Sequence, residues 1–227
     1  MAHFSKRMKE VNKVVEGVKA PIPLSDAITH LSKAPKVKFD ETVELHLNLN
    51  VDLKASDQGV RGTVVLPHGL GKSVKVAVFC KGDAAAKAQA AGADLVGGTD
   101  LIDKVAAGFM DFDVVVATPD MMRDLSKLGK VLGPRGLMPT PKAGTVTTDV
   151  ERAIREVKAG RVEFKSDKQG GIHLGIGKRS FAADKLVENA QHVLEAINHA
   201  KPAGVKGNLI KSLSVASTMG PGIKVAL

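Results

Sequence analysis

Ser217-Thr218-Met219-Gly220-Pro221-Gly222 combines two hydroxyls, one large soft apolar side chain and bare backbone within six residues. Gly and Pro make such a stretch a poor strand and a poor helix, so it reads as a turn. Thr218 offers a donor and an acceptor there, and Gly220 lets another backbone approach closely. Two readings stand side by side: an ordinary hairpin turn, and a turn held against a folded RNA, with Ser217, Thr218, Met219 and Gly220 as its contact residues.

Other chemistry-bearing residues form no catalytic set. Leu66-Pro67-His68-Gly69-Leu70-Gly71-Lys72-Ser73 ends like a phosphate-binding loop but has Leu where the first Gly belongs. Such a loop must also open a helix, whereas Val74 to Cys80 reads as a strand. Lys81-Gly82-Asp83 supplies one glycine where a dinucleotide fingerprint needs three. Cys80 ends an apolar run and reads as a small buried hydrophobe. The seven His are scattered, and His46 reads as a solvated strand residue rather than a metal ligand. No cofactor, no metal and no small-molecule substrate are expected.

The elements that must position the turn follow from pattern. At 227 residues and 44% hydrophobic content, one large or two ordinary domains can form. No run reaches the ~18 apolar residues of a membrane span. The stretch Met1 to Glu10 does not read as a secretory signal. With one cysteine, a reducing cytoplasm is the expected setting. Val43, Leu45, Leu47, Leu49 and Val51 alternate with polar residues, predicting a strand with one wet face. Residues 6 to 16 and a segment capped by Ser25 predict helices, and Thr63 to Leu66 a short strand. Val74 to Cys80, Asp94 to Val96 and Val114 to Ala117 lack alternation and are separated by helical stretches, which predicts a parallel sheet covered on both faces. A Pro/Gly-rich basic loop over residues 133 to 144 and a helix bearing Arg152 and Arg155 follow. Residues 161 to 165 and 171 to 176 read as an antiparallel pair joined by a Gly-ended turn, and 184 to 200 as an amphipathic helix. The last strand, Leu209 to Val215, delivers the turn.

The fold class expected is therefore an α+β domain built from both chain ends, an antiparallel sheet packed with helices, with an inserted three-layer α/β Rossmann-like domain. Residues 1–66 and 158–227 form the first, the RNA-binding domain, and 67–157 the insert. The crossings near Pro67 and Gly160 would form a hinge. With these bounds the terminal segments carry +8 and the insert +1 of the net +9. That concentration suggests a polyanion partner, although a basic balance also serves solubility. The chain has no Trp, no Tyr and seven Phe, too few to stack bases as single-strand readers do. Any nucleic acid would be read through Lys, Arg, hydroxyls and main chain.

Several stretches carry a family resemblance: Lys38-Phe39-Asp40-Glu41-Thr42-Val43-Glu44, Arg61-Gly62-Thr63, Leu66-Pro67-His68-Gly69, Met110-Asp111-Phe112-Asp113, Ala117-Thr118-Pro119-Asp120, Leu132 to Pro139 and Thr218-Met219-Gly220-Pro221. Together they resemble the bacterial large-subunit ribosomal protein of the mobile E-site stalk, the L-one family, over nearly the whole chain. The resemblance implies a cytoplasmic, ribosome-associated protein whose terminal-segment domain binds a helical-junction region of large-subunit rRNA. It implies a stalk that moves as deacylated E-site tRNA leaves, repression of the protein's own operon through its mRNA, and a monomer off the ribosome. It carries RNA contacts to Thr218, Met219 and Gly220 and to Lys38, Phe39 and Thr42. Lys165, Asp167, Lys168 and His173 lie in the hairpin the family uses near RNA. Position 26 is Asp, where some members carry Glu.

Two rivals need features the chain lacks. A small-molecule α/β enzyme with a terminal lid needs a catalytic cluster. A DNA-binding regulator needs a recognition helix rich in Arg, Asn or Gln, and residues 184 to 200 are apolar on one side and acidic on the other.

Overall fold

A computed structural model describes residues 5–16, 18, 20–52, 59–202 and 204–227; Met1 to Phe4 of the stretch read as non-secretory lie outside them. Helices α1 (Lys6–Val15) and α2 (Leu24–Lys33) precede strands β1 (Thr42–Leu49) and β2 (Arg61–Val65). Then come β3 (Val76–Phe79), α3 (Asp83–Ala90), β4 (Leu95–Gly97), α4 (Thr99–Ala106) and β5 (Val114–Ala117). Short helices α5 (Met122–Leu125) and α6 (Gly129–Leu132) lead to α7 (Val150–Lys158). The chain closes with β6 (Arg161–Lys165), β7 (Gly171–Lys178), α8 (Ala183–His199), β8 (Ile210–Ser217) and β9 (Ile223–Val225).

Two compact units result: Met1–Gly71 with Val162–Leu227, and Lys72–Arg161. The crossings therefore fall a few residues beyond those drawn from composition. Lys158 and Arg161 pass to the insert, which then holds 14 Lys and Arg against 11 Asp and Glu, compared with 19 against 13 in the terminal unit. Per residue the two units are comparably basic, so net charge no longer singles out either.

The terminal unit is organised by β1. Its side chains alternate between the core and the wet face, Val43, Leu45, Leu47 and Leu49 being buried. It lies inside a four-stranded sheet of order β7-β1-β8-β9, antiparallel throughout, with His46 opposite His173 on one side and Ser214 on the other. Helices α2 and α8 cover the apolar face. Ala27, Ile28 and Leu31 meet Leu186, Ala190, Val193 and Ile197 over the inward residues of the strands. Helix α8 also brings in one buried polar group, Asn189, which accepts from the His68 N–H at 3.1 Å and donates to the carbonyls of Gly69 and Ile176. That amide pins the Pro67-His68-Gly69 loop to the core.

The structure corrects two local expectations. Helix α2 begins at Leu24 with Pro23 as its N-cap; Ser25 sits inside the first turn and bonds Asp26 instead of capping. Strand β6 is not the hairpin partner of β7. It pairs with β2 in a separate two-stranded sheet, while β7 pairs with β1. The reason is Asp167: its Oδ1 accepts from the N–H groups of Gln169 and Gly171, both at 2.7 Å, and the resulting Asx turn hands the chain from one sheet to the other.

The insert has a parallel sheet of order β4-β3-β5. Alternate residues of its buried strands feed two cores. Ala77, Phe79, Val115 and Ala117 pack on one side with residues of α4, α5 and α6. Val76, Val78 and Val116 pack on the other with α3 and α7. Three layers are thus present. The order is second-first-third, the start of a flavodoxin-type sheet, whereas a dinucleotide fold begins third-second-first. "Rossmann-like" holds only in the broad sense of parallel strands covered on both faces.

Candidate nucleic-acid interface

The 217–222 stretch joins β8 to β9, so the hairpin reading describes its backbone. The Gly220 N–H donates to the Ser217 carbonyl at 2.9 Å and closes the turn. Three bonds fasten it to the first residue of β1. The Thr218 N–H donates to the Thr42 carbonyl at 3.0 Å, the Thr42 N–H donates to Thr218 Oγ1 at 3.0 Å, and that hydroxyl donates back to the Thr42 carbonyl at 3.3 Å. The Thr218 hydroxyl is thus committed inside the protein, with one lone pair left for a ligand. Gly220 also has an internal reason to be glycine: a Cβ there would collide with Ser217 Oγ. Met219 is 50% exposed.

Lys38 and Phe39 occupy an exposed bend just before β1, Phe39 being 54% exposed. Strands β1 and β8 run antiparallel, so the start of β1 and the end of β8 share one end of the sheet. Phe39 and Met219, the two large exposed apolar side chains of these segments, therefore flank the same sheet end. Beneath them Glu41 is 1% exposed. It receives the Met219 N–H at 3.0 Å, Ser217 Oγ at 3.2 Å and the Arg179 guanidinium. Burial pushes its carboxyl up. The bonds from Arg179, Met219 and Ser217, with the charge of Arg179, outweigh that and hold it below the usual carboxylate value.

Along the wet face, four residues and about 13 Å from Thr42, lies a second cluster. His46 and His173 face each other across β1 and β7, Nδ1 to Nδ1 at 2.9 Å, which requires one ring to donate and the other to accept. His173 Nε2 lies 3.7 Å from Asp167 Oδ2, and His46 Nε2 3.9 Å from Glu44 Oε2. Burial and the neighbouring His173 lower the pKa of His46, against the opposing pull of Glu44. Asp167 is held low by its bonds from Gly171 and Gln169. On this face β7 presents Gly171 and Gly175, where a Cβ would press on Asp167, His173 and Thr42, and β8 presents Ser212 and Ser214. The surface is polar, and a shallow cavity of about 250 Å³ opens on it among His46, Asn48, Asp167, His173, Ser212 and Ser214.

The structure joins Thr42 to Thr218 and Ser217 to Gly220 by direct bonds, and ties Met219 and Ser217 together through Glu41. Asp167 and His173 meet in the second cluster. Lys165 ends β6 and Lys168 lies in the Asp167 turn; both are exposed, and among the described residues no hydrogen bond joins them to the others. Sequence reasoning left out His46, Ser212 and Ser214. Their signal was available in phase, since each falls on the polar beat of its strand. It also left out Glu41, Arg179 and Arg7, whose partners are remote in sequence and carry no local signal.

Among the described residues no group of His, Cys, Asp and Glu could hold a metal. No helix of the described residues is long and apolar enough to cross a membrane. After the 66–73 stretch comes strand β3 and not a helix, so that stretch lacks the helix N-terminus a phosphate loop needs. Cys80 is buried, and burial raises its thiol pKa.

Among the described residues, helices cover one face of the β7-β1-β8-β9 sheet, and Phe39 and Met219 are exposed at its end. The model of the ribosomal protein L1p/L10e family matches residues 31–221, and the chain belongs to that family, whose members are structural ribosomal proteins rather than enzymes. Relatives agree over the full length. The large ribosomal subunit protein uL1 of Protochlamydia amoebophila is 56% identical over 227 residues, the whole of this chain and 96% of its own. Those of Thermosipho africanus and Kosmotoga olearia are 55% and 54% identical over 99% of this chain.

Proposed function

We propose that the terminal unit binds large-subunit rRNA on the open face of its antiparallel sheet, with the Met219 turn and the Phe39 bend at its edge. The supporting observation is that face itself: alternation along β1, small residues on β7 and serines on β8 leave backbone and short polar groups accessible. Such a surface suits the wide, shallow minor groove of RNA, where 2′-hydroxyls distinguish RNA from DNA. Lys38, Lys165 and Lys168 supply phosphate contacts, and Asp167 and His173 shape the second cluster. The test is a filter-binding titration of the full chain on large-subunit rRNA, with DNA of the same sequence as competitor. Nanomolar binding resistant to DNA supports the reading; equal competition by DNA removes it.

Family membership extends the proposal. In this reading the protein forms the mobile stalk of the large subunit, its two units articulate at the crossings, and it assists departure of deacylated tRNA from the E site. It also represses its own operon by binding an mRNA site that imitates the rRNA site. It works in the cytoplasm and is a monomer off the ribosome. Ribosomes lacking the protein should release E-site tRNA more slowly, and a reporter carrying the operon leader should be repressed by added protein. An unchanged release rate or an unresponsive reporter removes the corresponding role.

A further inference from the structure

Glu41 and Arg179 form a buried ion pair that lies outside the surface set out above and yet touches both of its halves. Arg179 is an anchor with several ends. Its guanidinium reaches Glu41, the carbonyls of Ser32 at 3.1 Å and Pro35 at 3.4 Å, and that of Ala34, so it also closes the C-terminal end of α2. Its own N–H donates to the Glu41 carbonyl at 2.7 Å. Next to it, Ser180 grips Asp40 twice, through its N–H at 3.2 Å and its hydroxyl at 2.7 Å. The Lys38–Phe39 bend is thus bracketed by α2 on one side and by Asp40 and Glu41 on the other. Glu41 Oε1, turned away from Arg179, accepts from Ser217 Oγ and the Met219 N–H. Arg7 of α1 completes the grip, donating to the Met219 carbonyl at 2.8 Å. Its Nε is buried without a partner among the described residues, which makes Arg7 the less satisfied arm.

We infer that Glu41, locked by Arg179 and assisted by Arg7, is a positioning residue for the RNA surface: it fixes the Met219 turn relative to the Phe39 bend so that the two present one preformed edge to RNA. The inference rests on the reading of that edge as RNA-binding. The physical logic is preorganisation. A turn of Thr, Met, Gly and Pro without an external acceptor for its Met219 N–H samples several conformations, and binding must then spend free energy ordering it. A buried carboxylate with both oxygens engaged removes that freedom in advance. Charge is needed, because a neutral side chain leaves Arg179 uncompensated and its other anchors weakened.

The test is a set of full-length variants bound to large-subunit rRNA well below their unfolding temperatures. Glu41→Gln should weaken binding roughly tenfold, the equivalent of one charged hydrogen bond, with the salt slope unchanged because no phosphate contact is lost. Combined with Met219→Ala it should add little beyond Met219→Ala alone, since both act through one turn. Wild-type affinity in Glu41→Gln, or full additivity with Met219→Ala, overturns the positioning role. Wild-type affinity in Met219→Ala and Phe39→Ala instead removes the RNA reading of the edge. Should Glu41→Gln fail to fold, Arg7→Met decides. It loses the arm on the Met219 carbonyl and the 3.9 Å pairing with Glu41 Oε1, and should weaken binding severalfold with an unchanged slope. Unchanged affinity, or a slope lowered by one, overturns the inference.

Discussion

The insert's parallel sheet and the four-stranded sheet of the terminal unit differ in what they leave open. In the insert, β3 and β5 are apolar at nearly every position, both faces are covered by helices, and two separate cores result. In the terminal unit, β1 is apolar at every second position and only one face is covered. A sheet buried on both sides has no surface to offer and can present only strand ends and loops. A half-covered antiparallel sheet presents a regular array of side chains on a rigid backbone. Strand alternation separates the two units more clearly than net charge, which they share in comparable measure.

Several outcomes would sharpen or break this contrast. The largest effects are on folding. Glu41→Leu leaves the Arg179 guanidinium buried and unpaired and should cost about 3–5 kcal/mol, read by denaturant unfolding of the terminal unit. Ile154→Ala cuts the insert's core and should cost about 2–5 kcal/mol while leaving rRNA affinity intact. A matching loss of affinity would show that the insert shares the binding surface. Thr218→Val removes the acceptor of the Thr42 N–H and should cost about 1–3 kcal/mol, with rRNA binding at least tenfold weaker. A destabilised variant with full affinity would make that hydroxyl purely structural.

Acid should act on the same clamp. The carboxyl of Glu41 is held below its unfolded value of 4.5. Its stabilisation is therefore fully present above pH 4.5 and is lost as pH falls through the lower folded value. Glu41→Gln should flatten the acid limb of the stability profile; an unchanged limb would assign the acid sensitivity to other carboxylates. The smallest effect is electrostatic. Lys38→Ala should lower the salt slope of rRNA binding by about one unit, and an unchanged slope would take Lys38 out of the phosphate contacts.

Much of the molecule was legible because periodicity is local. The alternation of Val43 to Leu49 gives the wet face, the unbroken apolar runs give the covered parallel sheet, and Leu186, Ala190, Val193 and Ile197 give the buried stripe of α8. What stayed hidden depends on distant partners. Nothing near residue 161 says that β6 will choose β2 over β7; that choice is made by the Asp167 turn. Arg179 and Glu41 are 138 residues apart, and each alone reads as a surface charge. At Gly220 an added Cβ would meet Ser217 Oγ, a local packing reason for glycine that stands beside the proposed RNA approach. Thr218 is fastened to Thr42 of β1, a partner 176 residues away that no local pattern announces.

Hydroxyl-radical oxidation of the full chain, free and bound to large-subunit rRNA, tests the central claim most directly. Phe39 and Met219 of the terminal unit and Phe109 of the insert are all exposed and oxidisable, at 54%, 50% and 39%. RNA should shield Phe39 and Met219 and leave Phe109 as reactive as in the free protein. Shielding of Phe109 with Phe39 and Met219 unaffected would contradict that claim.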